Sequence, residues 1–207
     1  MPSKLKWITL PILFILPLIV PAYATNQMEP AGKILGGSLD SPVRIEVFSN
    51  FQCTHCREFF LRTIKKVLKE YSSVNKVCVI YHDFPFQSHP YDREAARYVE
   101  AASRMSRETL LRVMEALYTD QAEWSENGQL QESIAKVLPK EAFEELLQLS
   151  KDPGIDPLID AQYNLAIEQG LKSTPTSFIF YQGKQQKVEA LITYIVLKTF
   201  IEDKIAE

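Results

Sequence analysis

Apolar and polar residues alternate from Val43 to Phe48: Ile45 and Val47 fall on one face, Arg44, Glu46 and Phe48 on the other. A period of two predicts a strand. From Cys53 to Tyr71 the period lengthens. Phe59, Phe60, Ile64, Val67 and Leu68 recur at helical spacing, so a helix is expected there. Val77 to Tyr81 is a continuous apolar run, short enough for a buried strand, and Phe84-Pro85 and His89-Pro90 break the chain after it. From about Asp92 to Gln169 every segment reads as helical. Ala95, Ala96, Val99 and Ala102 make one stripe; Leu110, Val113, Met114 and Leu117 a second; Phe143, Leu146 and Leu147 a third; Leu158, Ile159, Tyr163 and Ile167 a fourth. Pro139, Pro153 and Pro157 mark boundaries, and Gly170 is a stop for the last helix. Strand character returns at Thr176–Tyr181. Gln182-Gly183-Lys184 reads as a tight turn, Lys187–Ala190 as a short strand and Leu191–Ile205 as an amphipathic helix.

The two ends of this pattern differ from the middle. Trp7 to Val20 is uncharged and apolar, follows Lys4 and Lys6, and leads to Ala22-Tyr23-Ala24, a small-x-small cleavage pattern. Residues 1–24 therefore read as a secretory signal, with the exported chain starting at Thr25. The competing reading is an uncleaved anchor, although Pro11 and Pro17 interrupt the apolar run. Residues 25–42, with Pro30, Gly32, Gly36, Gly37 and Pro42, read as a loose lead-in. The 207-residue chain carries a formal charge of -3, which becomes -5 without Lys4 and Lys6. Neither value gives the basic stripe of a nucleic-acid binder. Three cysteines are too few for a disulfide scaffold, but export would place them where a disulfide persists.

The chemistry concentrates at Cys53-Thr54-His55-Cys56, between a strand and a helix. Cys53 at a helix N-terminus meets free N–H groups and the positive end of the macrodipole, which favour a thiolate. His55 can add positive charge or a hydrogen bond close to the same sulfur. Cys56, one turn further in, is placed to resolve a mixed disulfide. A stabilised Cys53 thiolate is also a good leaving group, which makes a Cys53–Cys56 disulfide easy to reduce and oxidising toward its substrates. Zinc would need a second ligand pair at metal spacing, and Cys78, His82 and His89 do not supply one. A c-type haem needs His directly after the second cysteine, where Arg57 stands. Copper held by the two cysteines and His82 or His89 stays open at this point, as does a structural bridge, which would stabilise little across so small a loop.

The run Phe48-Ser49-Asn50-Phe51-Gln52-Cys53-Thr54-His55-Cys56 resembles the active-site region of DsbA-like proteins of the thioredoxin superfamily. Phe84-Pro85, His89-Pro90 and the alanine-rich helix resemble the segment that follows in that family. Leu117-Tyr118 with Trp124 resembles its later helical landmark, and Thr174-Pro175-Thr176 its cis-proline loop. The resemblance runs from about 34 to 205. It implies an α/β, thioredoxin-like fold: a mixed sheet of four or five strands in residues 43–85 and 171–207, with residues 86–170 as an inserted helical subdomain. It also implies a cis bond between Thr174 and Pro175, packed on the cysteine pair and offering the Thr174 backbone to an extended substrate, as in β-augmentation. Three positions depart from the family pattern. Thr54 stands where many relatives have proline, Val47 where many have a buried glutamate, and Thr174 where the strong oxidases have valine.

The expected activity is thiol:disulfide interchange, in the direction of a dithiol oxidase. Cys53 and Cys56 form the redox pair, His55 tunes the thiolate, and Thr54, Thr174 and Pro175 face the substrate. No cofactor or resident metal is expected. The resemblance implies cysteine-containing exported proteins as substrates, a membrane quinone-linked thiol oxidase for regeneration, a monomeric state and a periplasmic or otherwise secreted location. The alternatives are a reductase or isomerase of the same fold, and a non-enzymatic copper- or peptide-binding module. Cys78, inside Val77-Cys78-Val79-Ile80, reads as a buried passenger. His82 and His89 read as hydrogen-bonded residues near turns, Trp124 as core, and Glu141, Glu144 and Glu145 as a solvated face.

Overall fold

The computed structural model describes residues 31–206; the secretory signal and the first part of the lead-in lie outside the described residues. Five strands form one mixed sheet in the order β1-β3-β2-β4-β5. These are β1 (Lys33–Gly36), β2 (Val43–Ser49), β3 (Val77–Asp83), β4 (Thr176–Tyr181) and β5 (Lys184–Val188). β2 and β3 are parallel, with Val43 opposite Val77 and Ser49 opposite Asp83. The other pairings are antiparallel. The parallel pair needs a crossover, which the helical run after Cys53 supplies. It consists of α1 (Thr54–Phe59), a π-helical stretch (Phe60–Ile64) and α2 (Lys65–Glu70).

The lead-in is not wholly loose, because Lys33–Gly36 forms β1 along the free edge of β3. Four residues carry too short a period to register as a strand. What binds them is specific: at Gly37 (φ +76°) an added Cβ would stand 2.1 Å from the Val77 carbonyl oxygen, so only glycine lets the two chains approach this closely. Lys33 is itself buried. Its Nζ lies 2.6 Å from Asp83 Oδ2, 2.5 Å from Glu100 Oε1 and 3.2 Å from Gln162 Oε1.

Between β3 and β4 six helices are inserted: α3 (Asp92–Met105), α4 (Arg107–Thr119), α5 (Gln121–Asn127), α6 (Leu130–Ala135), α7 (Lys140–Leu149) and α8 (Ile155–Glu168). The first two expected stripes are buried throughout. Trp124 is fully buried, and its Nε1 donates to the Leu117 carbonyl at 2.6 Å. The fourth stripe is rotated from expectation. Ile155, Ile159, Gln162 and Ala166 face inward, while Leu158 and Ile167 are 43% and 51% exposed. The Gln162 amide explains the rotation, since it must reach Lys33, Glu100 and the Asp83 N–H, none of which can be left unpaired once buried. Pro157 lies inside the first turn of α8, where a missing N–H costs nothing. Gly170 (φ +67°) ends that helix as expected, and Leu171 N donates back to the Ala166 carbonyl.

The closing hairpin is tighter than expected. Gln182 and Gly183 both have positive φ, a two-residue turn, so Lys184 already pairs with Tyr181 and β5 starts three residues earlier than the sequence suggests. The last helix, α9 (Tyr194–Ala206), turns Leu197 and Ile201 into the core, but Ile195 and Val196 are exposed, so its amphipathic division is incomplete. The sheet carries apolar side chains on both faces. Ile45, Val47 and Val79 join the large core with α1, α3 and α4, whereas Phe48, Phe84, Leu171 and Phe178 form a smaller cluster.

Candidate active site

β2 delivers the chain to the site. Its last residue, Ser49, is followed by the loop Asn50–Gln52, and Cys53 then caps α1 with extended backbone (φ -81°, ψ 120°). The cap is made by sulfur: Cys56 N–H donates to Cys53 Sγ at 3.4 Å. An N-cap accepts one of the free N–H groups that every helix start leaves over, and a thiolate does so better than a thiol. Cys53 is half-buried and Cys56 is 1% exposed; both thiols are free.

β4 pairs with β2 so that Thr176 sits opposite Phe48, which carries the preceding Thr174-Pro175 to the end of β2. That peptide bond is cis. The Cys53 thiol lies 3.4 Å from the Thr174 carbonyl oxygen, to which it can donate when protonated. The two segments singled out in the sequence, 121 positions apart, therefore meet at one sulfur.

The two cysteines are pushed in opposite directions. The Cys53 thiol is lowered to about 5, first by the hydrogen bond from Cys56, then by Thr174 and the backbone N–H groups of Cys56 and His55, all working against burial. The Cys56 thiol is raised well above the ordinary value, first by burial and then by the hydrogen bond and charge of Cys53. One sulfur is thus a thiolate at neutral pH and exposed to attack, while the other is a buried thiol. The His55 side chain is exposed, and its contribution to the sulfur is its backbone N–H. Thr54 is exposed beside it.

The loop before Cys53 is held by residues whose part was not read in the sequence. Gln121 of α5 is buried, and its Nε2 donates to the carbonyls of Phe51 (2.5 Å) and Cys53 (3.0 Å). Asp92 Oδ1 accepts the Phe51 N–H at 2.5 Å, and burial pushes that carboxyl well up. Asn50 Oδ1 lies 2.8 Å from His89 Nδ1 and accepts the Gln52 N–H. Gln52 Oε1 accepts the Tyr91 N–H at 2.7 Å. Single polar residues in long helical stretches carry no motif; the one available signal was that Gln121 and Asp92 stand close to helix starts.

His89 is a loop staple, consistent with a structural reading. His82 is buried, stacked on Phe48 (centroids 4.4 Å apart), with Nε2 3.2 Å from Glu46 Oε2. Glu46 thus points away from the large core that Val47 joins, as the strand alternation requires. Cys78 is fully buried in β3.

A family model described as Thioredoxin matches residues 30–203. The chain belongs to the thioredoxin family. Within it the architecture is DsbA-like. The crystal structure of Wolbachia pipientis alpha-DsbA1 superposes with a TM-score of 0.71 at 21% identity, covering 86% of this chain and 92% of that one. BdbD from Bacillus subtilis in its oxidised form superposes at 0.68 with 19% identity, covering 86% and 94%. Among curated proteins, a probable disulfide bond formation protein D from Bacillus cereus is 27% identical over 135 residues. That match takes in 63% of this thioredoxin-family chain and 57% of the relative, so the chain spans little more than half the length of the curated protein it matches. The expected fold and the family resemblance both stand.

Proposed function

We propose that this chain is an extracytoplasmic thiol–disulfide oxidoreductase that works as a dithiol oxidase. The observation that carries the reading is the asymmetry of the pair: a half-exposed Cys53 sulfur at a helix N-terminus, lowered to about 5, beside a buried Cys56 whose thiol is raised. In the oxidised protein a substrate thiolate attacks Cys53 Sγ. The Cys53–Cys56 bond breaks, its electron pair goes to Cys56, and a mixed disulfide joins Cys53 to the substrate. A second substrate thiolate then attacks the substrate sulfur of that bond, and Cys53 leaves as a thiolate. The substrate has lost two electrons and the protein has gained them. A thiolate stabilised to about pH 5 is a good leaving group, which favours this direction.

Thr174 and Pro175 would bind the extended substrate segment through main-chain contacts, with Thr54 and His55 on the exposed rim. The substrates would be cysteine-containing exported proteins, and regeneration would fall to a membrane quinone-linked thiol oxidase. The names of the Bacillus relatives support the substrate class, and the regenerating partner is what the DsbA-like resemblance implies. The leader pattern at 1–24 supports export, and mass determination of the exported protein tests it by whether the chain starts at Thr25. Among the described residues no helix is long and apolar enough to cross a membrane. Residues 43–85 and 171–207 would be the redox core and 86–170 the inserted subdomain.

Trapping tests the mechanism. Cys56→Ser, offered a peptide with two cysteines in its disulfide-activated form, should hold a stable mixed disulfide at Cys53, seen as the summed mass. Cys53→Ser should hold none. Equal trapping by both variants would contradict the assignment of Cys53.

A further inference from the structure

Cys56 must become a buried leaving group each time the disulfide is opened, yet among the described residues no charged side chain lines the space beside it. Cys56 and Ser49 line one cavity of about 10 Å³, walled otherwise by Val47, Phe59, Val79 and Tyr81 among others. So small a space with so few polar partners has no room for a chain of waters. A string of hydroxyls stands there instead. Ser49 Oγ is 3.0 Å from the Tyr118 hydroxyl, which is 3.0 Å from the Tyr81 hydroxyl. All three residues are buried, and they come from β2, α4 and β3. Phe51 and Phe60 pack their rings on Tyr118 at 4.8 and 5.0 Å and fix it in place.

We propose that Ser49 is a catalytic hydrogen-bond donor to the Cys56 sulfur, and that Tyr118 and Tyr81 are positioning residues that aim its hydroxyl. The proposal rests on the redox reading above. Each hydroxyl owns one proton. When Ser49 turns its proton to sulfur, Tyr118 must donate to Ser49 and Tyr81 to Tyr118, so the string acquires one direction and each bond strengthens the next. The opposing influences on Cys56 agree with this: burial and Cys53 raise its thiol, and the Ser49 hydrogen bond acts to lower it.

The step balances without an ionised hydroxyl. The substrate thiol first gives its proton to water. Its sulfur bonds to Cys53 Sγ, the Cys53–Cys56 bond breaks, and the electron pair settles on Cys56 Sγ. Ser49 stabilises that charge by hydrogen bonding as it develops, and the balance closes when Cys56 takes up one proton, equal to the one the substrate thiol released. The substrate dithiol is the reductant and the protein disulfide the oxidant.

The test uses the oxidised full-length protein and reduced glutathione as the attacking thiol, with the rate constant expressed per thiolate across a pH series. Hydrogen bonds to charged groups are among the stronger ones, so Ser49→Ala should react about tenfold more slowly. Ser49→Thr, which keeps the hydroxyl, should react at close to the wild-type rate. Tyr118→Phe, which keeps the ring, should be slowed by about threefold or more, on the order of half that effect in free energy. An Ala variant as fast as wild type would overturn the proposal, and so would Thr and Ala variants that are equally slow, since that pattern means packing alone. Should Ser49→Ala fail to fold, an unchanged rate in Tyr118→Phe overturns the proposal by itself. A wild-type protein that forms no Cys53–Cys56 disulfide in a glutathione buffer sinks the underlying redox reading, an outcome distinct from any rate ratio.

Discussion

Cys53 owes its character to position more than to neighbours of opposite charge. The largest influence on its sulfur is the hydrogen bond from Cys56, followed on the favourable side by Thr174 and two backbone N–H groups, and none of these is a cation. Thiolate absorbance of the reduced protein should therefore titrate with a midpoint at about 5. Cys56→Ala should move that midpoint upward, because it removes the Cys56 thiol, whose hydrogen bond does most to lower Cys53. A folded value below the unfolded one stabilises the reduced fold above the ordinary thiol range, and that contribution is lost as pH falls through about 5. An unchanged midpoint in Cys56→Ala would show that backbone groups alone hold the thiolate. At this scale the reacting pair and Thr174-Pro175 were legible in the sequence, since spacing and order mark them. Ser49, Asp92, Gln121 and Tyr118 were not assigned to the site, because their hydrogen bonds reach partners 37 to 70 positions away and leave no local pattern.

At the scale of elements, the inserted helices and the sheet are joined through charge as well as apolar packing. Lys33 of β1 holds Asp83 of β3 and Glu100 of α3, and Gln162 of α8 completes the set. Replacing one member of a buried ion cluster strands the others, so Lys33→Met should cost about 3–5 kcal/mol in urea unfolding at neutral pH. Asp83 supplies the pH dependence. Burial, with Glu100 adding to it and Lys33 opposing it, raises its carboxyl to about 6, above the value it has unfolded. A raised carboxyl contributes most below the unfolded value and loses that contribution as pH rises through about 6. The deficit of Lys33→Met should therefore shrink between pH 7 and pH 4, and a deficit constant over that range would show that Asp83 does not titrate there. The same cluster explains what periodicity misjudged. β1 is a strand with a buried lysine, and α8 turns a glutamine inward while two large apolar residues face out. Both follow from satisfying Lys33, a tertiary demand that no single segment reveals. β2 and β3 were legible almost to their ends, and α3 and α4 through the apolar stripes they bury, although the break between those two helices was not marked in the sequence.

At the scale of the whole molecule, the fold brings two distant stretches to one sulfur: the start of α1, delivered by β2, and the cis-proline turn before β4. The helical insertion braces them from behind through Asp92 and Gln121. The proposed function requires this assembly to poise the Cys53–Cys56 pair as an oxidant of dithiols, and the reduction potential of the pair against glutathione measures that poise. Between the Cys53 titration at about 5 and the much higher one of Cys56, reduction takes up two electrons and one proton. The potential should then fall by about 30 mV per pH unit, steepening toward about 59 mV below pH 5. At pH 7 the potential should lie close to roughly -120 mV, the range of a strong dithiol oxidant, whereas a value close to roughly -270 mV, the range of a reductant such as thioredoxin itself, would rule out the oxidase direction.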